Sequence, residues 1–178
     1  MVKLAGYSLW LQPEGYRYTK FSNLINHLSL KYNVPHFEPH VTLFGNVMEP
    51  EPEVLFNAQQ LAEIIKSTTI RLDRIEYFEE YYRSIIVLVE KNEALIDAHN
   101  KASQLFSRDI SEPYVPHLSL LYGYISEELK KQIIDDIGTE LEHCFMAKHL
   151  TVVSTFGEPS EWRIIKKYNL IDLSDKCL

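Results

Sequence analysis

Two short stretches hold residue types that could do chemistry together. Pro39-His40-Val41-Thr42-Leu43 and Pro116-His117-Leu118-Ser119-Leu120 share one pattern: Pro, His, aliphatic, hydroxyl, Leu. An aromatic residue stands two before each proline, Phe37 in the first and Tyr114 in the second, and the copies lie 77 positions apart. In a strand, residues i and i+2 point to the same face. His40 then sits beside Thr42, and His117 beside Ser119. An imidazole titrates near neutrality, so it can take or give a proton at working pH. A neighbouring hydroxyl can donate to a bound oxyanion. Two such pairs facing each other across a cleft would supply a general acid, a general base and a cradle for a phosphate. A lone histidine in an apolar strand is more often a hydrogen-bonded structural residue. Here, however, two of the seven histidines fall in matched frames, each after Pro and each two before a hydroxyl. Common ancestry of the two copies would explain the apolar positions but not the persistence of the polar ones.

These paired His-x-Thr/Ser motifs resemble the signature of the two-histidine (2H) phosphoesterases. The wording is most similar to the cyclic nucleotide phosphodiesterases of plants and fungi. The matching text is Tyr7-Ser8-Leu9-Trp10, Phe37-Glu38-Pro39-His40-Val41-Thr42, and Tyr114-Val115-Pro116-His117-Leu118-Ser119-Leu120-Leu121-Tyr122. The resemblance runs from Tyr7 to about Leu170. It implies action on 2′,3′-cyclic nucleotides or ADP-ribose 1″,2″-cyclic phosphate, with a nucleoside 2′-phosphate as the product of the former. It also implies two lobes, each an antiparallel sheet covered by helices, with the motif strands facing a central cleft. Complementary acid and base roles are implied for His40 and His117. The residues themselves do not assign them, and His117 is taken as base and His40 as acid. A ligand-contacting tyrosine is implied at Tyr122. Strand periodicity alone turns Tyr122 away from Ser119, so it reaches the site only if the strand bends or ends at Leu121. Tyr82 and Arg83, with Tyr81, sit at a turn where they could stack on a base or steady a phosphate.

Composition narrows the partners. The formal net charge of −7 argues against broad binding to a nucleic-acid backbone, which needs clustered lysine and arginine. The expected partner is a small cyclic-phosphate nucleotide, with no stable binding of long nucleic acid. No apolar run approaches the roughly 20 residues of a membrane span. Met1 to Trp10 lacks a signal-peptide core. A cytoplasmic monomer away from membranes is expected. Cys144 and Cys177 form no metal spacing and are expected as thiols in a reducing compartment. No His-Glu-x-x-His frame occurs, and six glycines form no phosphate-binding loop, so no metal or cofactor is expected. Two other readings stay open at this point: a 2H enzyme that processes RNA ends, and a nucleotide-binding module without catalysis.

The positioning elements follow from periodicity. Strands are expected at Tyr7 to Leu11, His40 to Phe44, Ile70 to Phe78, Ser84 to Glu90, His117 to Tyr122, Ala147 to Thr155 and Trp162 to Tyr168. Helices are expected at Thr19 to Lys31, Glu53 to Lys66, Glu93 to Phe106 and from a Ser126 cap onward. Gly45 to Pro52 reads as a loop. Ile85-Ile86-Val87-Leu88-Val89 is a continuous apolar run and reads as a buried central strand. Trp10 is assigned to the core. His27 and His99 are assigned to solvent-facing or capping positions on helices. The 77-residue offset maps elements onto like elements, which predicts an α+β fold built from a duplicated β-α-β-α-β unit. The whole of 1–178 reads as one bilobal domain, with pseudo-repeats at about 7–78 and 84–155 and a closing strand at about 162–168.

Overall fold

The computed structural model describes residues 5–108, 113–138 and 144–172. Along the chain run β1 (Tyr7–Leu11), α1 (Gly15–Tyr32), β2 (Val41–Val47), α2 (Glu51–Ile64), β3 (Thr68–Tyr77), β4 (Ile85–Val89), α3 (Glu93–Leu105), β5 (His117–Leu121), α4 (Glu127–Ile137), β6 (Cys144–Ala147), β7 (His149–Ser154) and β8 (Arg163–Asn169). All strand pairs are antiparallel, in the order β6-β3-β4-β5-β2-β1-β7-β8. The fold is α+β, with the strands in two groups of four. A single register pair between the motif strands, Val41↔Leu118, joins those groups into one curled sheet. Outward from that seam the order is β2-β1-β7-β8 on one side and β5-β4-β3-β6 on the other. Each motif strand is therefore innermost in its group.

Local chemistry accounts for the elements. The apolar run of β4 lies between β3 and β5 and is buried along most of its length. Asn92 caps α3 by accepting from the Leu95 N–H at 2.8 Å, and Ser126 caps α4 through Leu129. Helix α1 ends at Asn33 in the left-handed region, φ 52°, which asparagine tolerates. Pro50 precedes α2 and Pro52 lies in its first turn, where a missing N–H costs nothing. The helices cross between halves: α1 packs on β5, and α3 packs on β2. Val41, Leu43, Leu118 and Leu120 are buried beneath them.

Three expectations change. Strand β2 runs through Gly45 to Val47, where a loop was expected. The expected strand from Ala147 is two strands, because the chain leaves β3 after Ala147 and joins β1 from His149. Apolar patterning cannot register such a transfer, since both strands are buried. Cys144 is disulfide-bonded and is not the expected thiol. Cys177 lies outside the described residues.

Candidate active site

The two motif histidines are held alike. His40 Nδ1 donates to the Glu38 carbonyl at 2.6 Å, and His117 Nδ1 donates to the Val115 carbonyl at 2.8 Å. In both cases the acceptor lies two residues back, across a proline. A carbonyl only accepts, so Nδ1 bears the hydrogen, and Nε2 of each neutral ring is left with its lone pair. That is the nitrogen each motif has available for proton transfer.

Their surroundings differ. His40 is buried and stacks on the Trp10 indole at 3.6 Å with planes 6° apart. Trp10 is itself fixed by its Nε1–H donating to Ser8 Oγ at 2.9 Å. Burial pushes the His40 pKa down to about 3; the Glu38 carbonyl opposes this, and His117 adds to it. His117 is half-buried. Burial lowers its pKa as well, the Val115 carbonyl opposes, the Arg83 charge lowers it and Glu80 raises it. Both rings are thus biased to the neutral form while the cleft holds no anion.

The hydroxyls sit beside them. Ser119 is buried, and its Oγ donates to the Tyr82 carbonyl at 3.2 Å. Strand β5 ends at Leu121, so the periodicity that would turn Tyr122 away stops one residue before it. Tyr122 lines the cleft, hydrogen-bonds Ser119 and stacks on Phe37 at 3.7 Å. Burial raises its pKa, which keeps the phenol protonated. Thr42 is half-buried and faces the same space. Tyr82 and Arg83 belong to a single 3-10 turn, Tyr81–Arg83, at the rim. Arg83 is ion-paired with Glu80.

One cleft of about 580 Å³ collects His40, Thr42, Tyr82, Arg83, His117, Ser119 and Tyr122. Aromatic rings crowd the end beside the Tyr81–Arg83 turn, where Trp162 lies 5.9 Å from Trp10 and 6.1 Å from Tyr82 between ring centres. Arg108 also lines the cleft, its guanidinium donating to the Gly45 and Asn46 carbonyls at 2.7 and 2.9 Å. Sequence reasoning placed Trp10 in the core; it is buried, but it also forms the floor under His40. His99 was assigned to solvent or a cap. Instead it is part-buried at the cleft, donating to the Leu43 carbonyl at 2.8 Å. The helical periodicity of α3 marks its core face but not where that helix meets the open edge of β2. No signal in the sequence singles out Arg108 or Trp162. Among the described residues, no group of three or more His, Cys, Asp and Glu side chains could hold a metal ion. Among them, too, no helix is long and apolar enough to cross a membrane.

This pairing of an eight-stranded antiparallel sheet with matched histidine–hydroxyl strands at its seam defines a 2H phosphoesterase. The model of the family described as cyclic phosphodiesterase-like protein matches residues 5–170, and the chain belongs to that family. It is an enzyme of the cyclic phosphodiesterase class. A curated relative, the cyclic phosphodiesterase of Arabidopsis thaliana, is 28% identical over 130 residues, spanning 73% of this chain and 72% of that protein. Among solved structures, E. coli LigT complexed with 3′-AMP superposes with a TM-score of 0.60 at 16% identity, over 93% of this chain and 97% of LigT. TT0787 of Thermus thermophilus superposes with a TM-score of 0.62 at 14% identity, over 92% and 97% of the two chains. These two likenesses establish the shared fold.

Proposed function

We propose that the chain hydrolyses a small cyclic phosphate, a 2′,3′-cyclic nucleotide or ADP-ribose 1″,2″-cyclic phosphate, to its monoester without a metal ion. The observation that carries this reading is the matched pair of Nδ1-to-carbonyl bonds, which leave two Nε2 atoms available for proton transfer in one cleft. In the proposed reaction His117 Nε2 takes a proton from water as its oxygen attacks phosphorus in line. For a 2′,3′-cyclic nucleotide the P–O3′ bond breaks, and His40, protonated at Nε2, gives its proton to the departing ribose oxygen. The product is a nucleoside 2′-phosphate. Thr42 donates to a non-bridging oxygen as charge grows on it, and Ser119 and Tyr122 do the same by turning their O–H groups from the bonds they make in the empty cleft, to the Tyr82 carbonyl and to each other. Tyr82 and Trp162 offer faces on which a base can stack, with Arg83 beside them. The ligand is nucleotide-sized, as in the E. coli LigT structures complexed with 3′-AMP and with ATP. We read the chain as one bilobal monomeric unit that acts on this small ligand in the cytoplasm.

Incubation with 2′,3′-cyclic nucleotides, 3′,5′-cyclic nucleotides and ADP-ribose cyclic phosphate, followed by phosphorus NMR, tests the substrate class. Turnover is expected for five-membered cyclic phosphates only. His40→Ala and His117→Ala should each cut it by at least ~10²-fold, and the double variant should be little worse than the poorer single one. Near-normal activity in either single variant overturns the acid–base pair.

A further inference from the structure

Thr42 stands at an irregularity in its strand. Strands β1 and β2 pair Leu9↔Phe44 and Trp10↔Thr42, so Leu43 is an extra residue, a β-bulge. On the other edge, β2 meets β5 only at Val41↔Leu118. The backbone from Thr42 to Leu43 is thus interrupted by the bulge on its β1 side and unpaired beyond Val41 on its β5 side, yet a catalytic donor must be held to within about 0.5 Å.

Two side chains supply the missing hold. The Tyr114 hydroxyl donates to the Thr42 carbonyl at 3.0 Å, and His99 Nδ1 donates to the next carbonyl, Leu43, at 2.8 Å. The two rings stack at 4.0 Å with planes 4° apart, so each donor is packed against the other. Burial raises the Tyr114 pKa, which keeps its hydroxyl protonated and donating. Tyr114 lies three residues before His117, so its bond ties the second motif to the backbone of the first. His99 comes from α3, the helix packed behind β2. The device is one-sided. The position equivalent to Tyr114 in the other motif is Phe37, which has no hydroxyl and stacks on Tyr122 instead.

We propose that His99 and Tyr114 are positioning residues for this enzyme's chemistry: a stacked pair that clamps two successive carbonyls of the β2 bulge and sets the Thr42 hydroxyl in the cleft it shares with His117. The inference rests on the oxyanion-binding role proposed for Thr42. Tyr114→Phe keeps the stack and deletes one donor. It should lower kcat and kcat/KM together by ~10-fold, as an interaction made chiefly in the transition state does, with the melting temperature little changed. His99→Asn retains an N–H near the Nδ1 position and should stay within ~3-fold of wild type, whereas His99→Leu should fall ~10-fold. In a Thr42→Val background, Tyr114→Phe should cost less than ~2-fold more, because its effect passes through the lost hydroxyl. An equal penalty with and without that hydroxyl overturns the inference, and so does normal kcat in Tyr114→Phe when Thr42→Val is slow. If Thr42→Val is itself harmless in an active enzyme, the role proposed for Thr42 falls and the inference falls with it. If no cyclic phosphate is turned over, the affinity for inorganic phosphate measured by NMR decides. Tyr114→Phe must then weaken it as Thr42→Val does, and an unchanged affinity overturns the clamp.

Discussion

At the scale of residues, the central tension lies in the charge state of two imidazoles. Catalysis by an acid and a base needs one ring protonated and one neutral. Burial holds His40 down to about 3 and also lowers His117, so both are neutral in the free enzyme at pH 7. For the proposed pair to work, the missing proton must be taken up from solvent as the substrate binds. A phosphate anion beside a ring favours the imidazolium, which reverses the burial effect by direct charge attraction. Binding should therefore take up protons, whichever ring serves as acid. A slowly hydrolysed 2′,3′-cyclic phosphorothioate suits the test, since its own charge is fixed near neutrality. Calorimetry at pH 7 in buffers of different ionisation enthalpy should show uptake of about half a proton or more per ligand. Binding with no proton exchange would mean that the site keeps its free-state protonation, and the acid–base pair would then lack its acid.

At the scale of elements, the site depends on turns and strand ends more than on strand interiors. The Tyr81–Arg83 turn offers the carbonyl that receives Ser119. Just before it, Lys130 of α4 reaches in from below: its side chain is buried, and Nζ donates to the Phe78 carbonyl at 2.8 Å and lies 3.4 Å from Glu79 Oε1. Lys130→Met preserves the volume but leaves that carbonyl without its donor. It should cost about 1–3 kcal/mol of stability, the usual penalty for stranding a buried acceptor. Urea unfolding reads this, and a loss below about 0.5 kcal/mol would show that the turn is held by other means. The sequence announced α4 through Ser126 and its acidic first turn, but not that a lysine of that helix would be swallowed. The motif strands and the buried run of β4 were legible for a related reason: their spacing is local, and local spacing is what periodicity records. Tyr122 was legible only conditionally, since its direction depends on where β5 ends. His99 was misassigned because its partners, Leu43 and Tyr114, come from distant segments. The break at Lys148 was missed because β6 and β7 are both buried, so no change of pattern marks the transfer from β3 to β1.

At the scale of the whole molecule, proton linkage joins the site to folding. A histidine held neutral in the fold, with a pKa of about 3, has an unfolded pKa of about 6.5. Above pH 6.5 neither state binds the proton and nothing is lost. As pH falls from 6.5 towards 3, the unfolded chain is protonated and the folded one is not, so stability declines. Between pH 7.5 and 5.5, His40 alone should remove roughly 1 kcal/mol. His117 acts in the same direction. Denaturation at the two pH values should show that loss in the wild type and a smaller one in His40→Gln. Identical losses would mean that His40 titrates normally in the fold. The overall charge of −7 leads us to expect weak affinity for long polyanions at physiological salt, which a binding titration with a generic single-stranded RNA 20-mer would check. Two histidines are proposed to do the chemistry unaided by a metal. The most direct measurement is the rate of 2′,3′-cyclic nucleotide hydrolysis from about pH 5 to 9 in EDTA, repeated with added Mg²⁺, Mn²⁺ and Zn²⁺. Activity should be undiminished by the chelator and pass through an optimum, with two apparent pKa values that belong to the pair. Complete loss of activity in EDTA, restored by a stoichiometric metal, would contradict the account.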